Sequence, residues 1–393
     1  MLLQELAQSL QARGHEVAVL TGFPNYPSGA IYPGYALRFR QRETLAGVPV
    51  VRVPLYPEHS RSGVHRALNY ISFALSATVL GPWLAPRPDV IFVYHPPLTI
   101  GIPAYVLSRL WRVPFVYQIQ DMWPETLNAT GMFNNKRLLG WICRVAKWVY
   151  AKAQAILVIS PGFFRNLVDK GVPPEKIRVI SNWVDPQTYY RAAPEPQLAQ
   201  ELDLAGRFNV MFAGNMGEAQ GLETVIEAAK LLKDDPQVQF VMVGDGIALP
   251  GLQQLAQDQH PANVRFLGRY PAQEMPRLYA LADVLLVHLR DNPLFRITIP
   301  HKTLAYLGSG KPILAAVAGD VADLVVSIGA GIACAPENPS ALAAGVRFLQ
   351  SLPESDRQAM GERGVLAART RYSRDVLVDE IEAVLKEAAG DGA

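Results

Sequence analysis

Two stretches carry residue types at spacings that could do chemistry. The first is Arg296 to Ala316, RITIPHKTLAYLGSGKPILAA. Pro300 suits the first position of a helix, where its missing N–H costs nothing, and Gly310 suits the left-handed turn that ends one. Ile313 to Ala316 then reads as a buried strand. A helix opening beside strand ends presents unpaired N–H groups and the positive end of its dipole, which suits a phosphate. Lys302, inside that opening, adds a mobile positive charge; the same residues also suit an ordinary αβ unit with a surface lysine. The second stretch follows a predicted strand, Phe115 to Ile119, which delivers Gln120, Asp121, Met122, Trp123, Pro124 and Glu125 to its C-terminal end. Ligands of open α/β sheets collect at that end, so Asp121 and Glu125 stand where chemistry would be.

The elements that must position these residues alternate. Strands are expected at Glu16–Thr21, Val50–Val53, Val90–Tyr94, Phe115–Ile119, Ile156–Ser160 and Ile177–Ile180, with helices between them. After a linker at Arg191–Gly206 a second series follows, with strands at Asn209–Ala213, Gln239–Val243, Val264–Leu267 and Val284–Leu289. Several of these run into glycine, at Gly214, Gly244 and Gly268, which would let backbone N–H groups approach a ligand. Helices between strands dictate parallel sheets with right-handed crossovers. The chain opens on an amphipathic helix with no secretory signal, and the strand that would normally precede it is missing. Gly22 to Tyr35 is turn-rich and tyrosine-bearing, either a functional loop or a plain surface loop. A final amphipathic helix, Ser373–Lys386, gathers Val376, Leu377, Ile381, Val384 and Leu385 on one face and is expected to cross back to the first domain; the tail after it is expected to fray.

At 393 residues the chain suits two domains, and its half-apolar composition makes it globular. A net charge of +2 gives no reason to expect nucleic-acid binding. Cys143 and Cys334 lie apart in apolar segments, as buried thiols of a reducing compartment would, and seven histidines without ligand spacing give no metal site. The apolar window Ala67–Ala85 is interrupted by Asn69, Ser72, Ser76, Gly81 and Pro82, which favours a buried helix over a membrane span. Asn135–Gln154 sets Lys136, Arg137, Arg144, Lys147 and Lys152 among Trp141, Trp148 and aliphatic residues. Such a helix either lies on an anionic lipid surface or packs on a core with its lysines in water.

The order Gly214-Asn215…Gln220-Gly221-Leu222, VGDG, FLGRYPAQEMPRLYALADVLL and LAYLGSGKPIL, with GHEVAVLTGFPNYPSG, VYHPPLTIGIP, VYQIQDMWPE and ISNWVD before it, covers nearly the whole chain. It resembles the retaining, family 4-like glycosyltransferases of the GT-B fold, in the branch that builds O-antigen, capsule and colanic-acid units on a lipid-pyrophosphate carrier. The resemblance implies two Rossmann-like, doubly wound domains facing across a cleft. These would be an acceptor domain at 1–188, a nucleotide-sugar domain at 189–372, and a crossover helix at 373–393 packing on the first. It implies a nucleoside-diphosphate sugar donor, UDP foremost, a lipid-linked saccharide acceptor, no metal or cofactor, no nucleic acid, and a cytoplasmic location, peripheral on the inner face of the plasma membrane. The base would rest near Gly268, Arg269 and Tyr270. The diphosphate would lie against Thr298, Ile299, Pro300, His301 and Lys302, and Gly214, Asn215, Gln220, Gly221 and Gly244 would close over the sugar. Asn25, Tyr26, His95, Gln120, Asp121, Trp123 and Glu125 would face the acceptor. Lys302, exposed in the cleft, would stabilise the leaving diphosphate, with Asp121 as its catalytic counterpart. Where many members carry an Arg and a Lys this chain has Asn215 and Gln220, a pattern its branch often shows; where many carry two glutamates it has Ile297 and Ala305. These departures motivate an alternative, a degenerate nucleotide-sugar-binding or partner-binding protein without turnover.

Overall fold

The structure, a computed structural model, describes residues 2–26, 28–58, 63–129, 135–259 and 262–390. Contacts divide the chain into two units, Met1–Ser181 with Val378–Ala393, and Asn182–Leu377. The first unit opens with the helix Leu2–Ala12, which buries Leu6, Ala7 and Leu10. Its strands are β1 (Val19–Gly22), β2 (Gln41–Leu45), β3 (Val48–Val53), β4 (Ile91–His95), β5 (Phe115–Ile119), β6 (Ala155–Val158) and β7 (Ile177–Val179). They form two sheets: a three-stranded one in the order β1-β3-β2, and a parallel four-stranded one in the order β4-β5-β6-β7. β1 starts later than the periodicity predicts. β2 was not legible, because QRETL lacks an apolar alternation; it exists through an antiparallel hairpin with β3. Ala46 and Gly47 turn that hairpin with φ of 49° and 85°, the doubly left-handed geometry that matches strand twist.

The helix Gly63–Leu84 corrects the expectation of a buried helix. Its interrupting polar residues face inward: Asn69 is buried and donates to the Tyr56 carbonyl at 2.8 Å, and Ser72 Oγ accepts from Tyr56 N at 2.8 Å. Val64, Leu68, Ile71, Leu75, Val79 and Trp83 are exposed instead.

The closing helix Arg374–Ala389 buries Val378, Ile381 and Val384. Glu382 ties it to the start of the first unit, accepting from Arg13 Nη1 at 2.7 Å and lying 2.9 Å from His15 Nε2, with Lys386 also at 2.7 Å. Hydrogen bonds from Lys386, His15 and Arg13 pull its carboxyl down to about 2. The helix continues to Ala389, past the expected end at Lys386, and the last part of the tail expected to fray, 391–393, lies outside the described residues.

The second unit holds one parallel sheet of β8 (Phe208–Ala213), β9 (Val238–Val243), β10 (Val264–Gly268), β11 (Val284–His288), β12 (Ile313–Ala316) and β13 (Gly331–Cys334). The order is β10-β9-β8-β11-β12-β13. Every residue of β8, β9, β11 and β12 is buried, because helices cover both faces and leave two apolar clusters, one on each side. The direction of winding reverses between β8 and β11, so the ends of those two strands frame the crevice where such sheets take ligands.

Ala46→Asn should stabilise the β2–β3 hairpin, since asparagine tolerates the left-handed region better than alanine. A gain of about 0.5 to 1 kcal/mol is expected from urea unfolding, and a loss would contradict the turn geometry.

Candidate functional site

At the β8 end of the crevice the chain turns at Gly214, whose φ of 133° suits glycine. A Cβ there would sit 3.1 Å from Lys302 Nζ. Lys302 comes from the helix His301–Ser309, which Gly310 ends in the left-handed conformation, as anticipated. Pro300 is the residue before the helix and not its first, with an extended ψ of 143°. Tyr306 fixes this helix to the strand: its hydroxyl accepts from Ala213 N at 2.8 Å and donates to Ala213 O at 3.1 Å. Lys302 is therefore held against the last residues of β8, with Nζ 3.7 Å from the centroid of the Phe212 ring. The expectation of an exposed lysine is corrected. Nζ is buried without a hydrogen-bond partner among the described residues, and burial lowers its pKa from 10.5 to about 7. A buried amine with only a ring face beneath it has two ways to gain stability: lose its proton or receive an anion.

The other donor-side residues divide. Thr298 Oγ1 donates to Leu294 O at 2.8 Å, and Ile299 is buried in the core behind the turn. His301 and Arg269 are exposed, Tyr270 is half-buried against the same core, and Ala305 is buried with no polar group to offer. The glycine loops do not present free amides as expected. Gly214 N donates to Val243 O at 2.9 Å, Gly244 N to Gly268 O at 2.7 Å, and Met216 N to Asp245 O at 2.8 Å. A Cβ on Gly244 would come within 2.0 Å of Gly214 O, so glycine there serves loop-to-loop contact. Gln220 is likewise occupied: its Oε1 accepts from Gly217 N at 2.9 Å, and Gly221 turns beside His288 and Arg290. Asn215 alone of this set is an exposed side chain near Gly217. Phe212 and Tyr306 escaped the sequence reading; both sat in apolar runs, and only tertiary contact gives them a role.

On the first unit, His95 ends β4 but is 1 % exposed, packed edge-on to Trp123 at 6.0 Å and tilted against Tyr117 at 5.7 Å. Neither ring nitrogen has a partner among the described residues, and burial holds its pKa down at about 3, so it is a neutral interior group and not an acceptor contact. Glu125 is paired with Lys170 Nζ at 2.5 Å and accepts from Asn166 Nδ2 at 3.4 Å. Asp121 is open to solvent, yet the surrounding protein raises its carboxyl by desolvation. Burial and, after it, the Asp121 charge push the Tyr94 hydroxyl up to about 12. Trp123 stacks edge-on to Tyr70 at 6.1 Å, and Gln120 is half-buried beside it in sequence. Tyr26 is exposed and Asn25 half-buried in the loop after β1. Asp121, Trp123, Tyr70 and Tyr94 thus gather, while Glu125 turns to Lys170. Among the described residues no group of three or more His, Cys, Asp or Glu is placed to hold a metal, and Cys143 and Cys334 are free and half-buried.

Residues 2–183 match the Glycosyl transferase 4-like domain and residues 207–351 the Glycosyl transferases group 1 domain. The chain is 29% identical over 369 residues to the putative colanic acid biosynthesis glycosyl transferase WcaI of Escherichia coli, covering 90% of this chain and 89% of that one. Its fold is similar to sucrose-phosphate synthase from Thermosynechococcus elongatus, with a TM-score of 0.77 at 15% identity over 99% of this chain and 93% of that one. It is also similar to Anabaena HepE in complex with UDP and glucose, with a TM-score of 0.69 at 20% identity over 95% and 100% of the two chains. These likenesses show the GT-B fold, two Rossmann-like units in one chain.

Tyr306→Phe should leave the Ala213 carbonyl and amide without their partner and cost about 1 to 3 kcal/mol in urea unfolding; no change would mean water replaces the hydroxyl. His95 sets an acid limit. Its folded pKa of about 3 lies below the ordinary 6.5, so the stability it contributes is complete above that value and is lost as pH falls toward 3. The expected slope is about 1.4 kcal/mol per pH unit, and His95→Asn should flatten it in a series of urea titrations.

Proposed function

We infer that this chain, a glycosyl transferase 4-like domain followed by a glycosyl transferases group 1 domain, moves a hexose or N-acetylhexosamine from a nucleoside-diphosphate sugar to a lipid-linked saccharide. The donor is a UDP sugar, a choice supported by the UDP seen in a structural relative. The acceptor class, and a place in O-antigen, capsule or colanic-acid synthesis, are supported by the colanic-acid relative. The reaction belongs on the cytoplasmic face of the plasma membrane, where such acceptors and nucleotide sugars meet.

One observation carries the reading: the buried Lys302 amine, without a hydrogen-bond partner among the described residues, at the opening of a helix and beside the turn that ends β8. A diphosphate there would meet a fixed positive charge and the helix terminus together, in surroundings too dry to screen them. As the bond from the anomeric carbon to the donor phosphate oxygen breaks, charge grows on that oxygen, and Lys302 stabilises it. The acceptor hydroxyl attacks on the face the phosphate leaves, its proton passing to a donor phosphate oxygen, so configuration is retained. No metal is needed for the leaving group. Asp121, at the end of β5, serves the acceptor side, and its raised pKa suits a hydrogen bond to a sugar hydroxyl.

A second reading, a binding protein without turnover, is favoured by Ala305 and Ile297, which give the turn no carboxylate, and by Gln220, which is committed to its own loop. Release of UDP from UDP-hexoses in the presence of lipid-linked saccharide separates the two; binding without release would select the second.

Lys302→Ala should lower turnover about a thousandfold with little loss of stability, while EDTA leaves the rate unchanged. A fall in rate is expected for Asp121→Asn as well. Because an anion raises the pKa of an amine that titrates near 7, UDP binding at about pH 8 should take up close to one proton. Calorimetry in buffers of different ionisation enthalpy measures this uptake; it should vanish below about pH 6 and in Lys302→Ala. Uptake that persists in the variant would remove Lys302 from the site.

A further inference from the structure

The helix Gly63–Leu84 is apolar on both sides, unlike a surface helix of a water-soluble protein: it buries Ala74, Ala77 and Leu84, the last two in one cluster with Val51 and Val53, and leaves a second apolar stripe outside. Its inner side holds Asn69 and Ser72, bonded to the Tyr56 backbone. Its outer side is a continuous apolar stripe, Val64, Leu68, Ile71, Leu75, Val79 and Trp83, with exposures from 46% to 84%. Successive members are three or four residues apart, so they share one face. By length and composition the helix could cross a membrane, but its inner side packs on β1, β3 and the helix Gly101–Trp111. A Cβ on Gly81 would come within 3.1 Å of Leu20 and 3.3 Å of Leu107, so the glycine lets the helix lie close against both.

The neighbouring helices extend this face and give it a charge. Gly101–Trp111 packs against Lys136–Lys152, with Gly101 against Val149 and the Tyr105 and Trp148 rings edge-on at 4.7 Å. These crossovers of one parallel sheet run in one direction, so both helices lie on the same side of it. Across the three helices there are seven Lys and Arg and not one Asp or Glu, in a chain whose acids and bases otherwise nearly balance. Arg109, Arg137, Arg144, Lys147 and Lys152 are exposed, as is Trp141.

We propose that this face is a membrane-docking surface: the stripe of Gly63–Leu84 enters the interface of an anionic bilayer, and the basic residues of the two helices beside it hold the lipid phosphates. Apolar area and basic charge on one surface are the two terms that bind a peripheral helix to such a bilayer. A second copy of this chain fits less well, because pairing two such faces would oppose cation to cation. The proposal deepens the membrane part of the function proposed above, yet rests on the first unit alone and does not depend on sugar transfer.

The test is flotation of the full chain with phosphatidylcholine vesicles, with and without phosphatidylglycerol, at low and high salt, alongside UDP-binding calorimetry on the same samples. Binding is expected only with the anionic lipid and should weaken with salt. Leu75→Glu with Val79→Glu should reduce partitioning about tenfold or more, and Arg144→Glu with Lys147→Glu should remove the preference for anionic lipid, while UDP binding stays unchanged in both. Both pairs are surface residues, and unaltered UDP binding reports that the chain is folded. In the unsubstituted protein, brominated lipid should quench fluorescence that Trp83→Phe eliminates. No flotation, or flotation that the glutamate pair leaves intact, overturns the proposal; so does a dimer in light scattering that the same pair converts to monomer. Loss of UDP binding with flotation intact would instead overturn the donor reading alone.

Discussion

The donor half of the site depends on one electrostatic constraint, a lysine amine buried from water and without a hydrogen-bond partner among the described residues. Lys302 reaches this position only because Tyr306 locks its helix to the end of β8 and Gly214 leaves room where a side chain would stand. The Phe212 ring offers the charge a partial counterpart, and burial accounts for the low pKa. Stiffness follows from the same requirement. If the loop ends of β8, β9 and β10 could sag, water or a carbonyl would reach the amine, and their mutual hydrogen bonds through Gly214, Met216 and Gly244 keep them from doing so.

Much of this was legible in the sequence, and the exceptions have a common cause. The parallel strands of the second unit were readable because each is a short, wholly apolar run ended by glycine, and strand order then places the crevice. Gly310 as the helix stop was readable from its backbone requirement alone. What could not be read was where side chains end up. His95 and Glu125 stand at strand ends just as Asp121 does, yet one is enclosed by aromatic rings and one is drawn to Lys170. The position of a residue along a strand says nothing about a partner on another segment, such as Trp123 for His95 or Lys170 for Glu125. The glycine loops misled for a related reason: the same freedom of φ serves close approach to a ligand and close approach to another loop, and here the second use prevails at Gly244.

The helix Gly63–Leu84 shows the limit of hydropathy. Asn69 and Ser72 were read as interruptions of a buried helix, which presumes that polar residues mark the wet side. Asn69 departs from that rule, because a buried side-chain amide that donates to the Tyr56 carbonyl costs little, and the half-buried Ser72 hydroxyl meets the Tyr56 amide beside it. The helix is apolar on both sides: Ala74, Ala77 and Leu84 go inward with Asn69, and Leu68, Ile71, Leu75 and Val79 are left outside.

Among the described residues the first unit is built on two sheets that share no backbone ladder, β1-β3-β2 and β4-β5-β6-β7, with the helix Gly63–Leu84 packed against β1 and β3 of one and against the crossover helix Gly101–Trp111 of the other. Ladders of hydrogen bonds resist sliding, whereas aliphatic packing such as Leu20 on Gly81 yields to shear. Movement of one sheet relative to the other would therefore strain side-chain packing and leave both ladders intact. Each sheet is thus stiff along its own ladder, and the line between them is where the unit would give first.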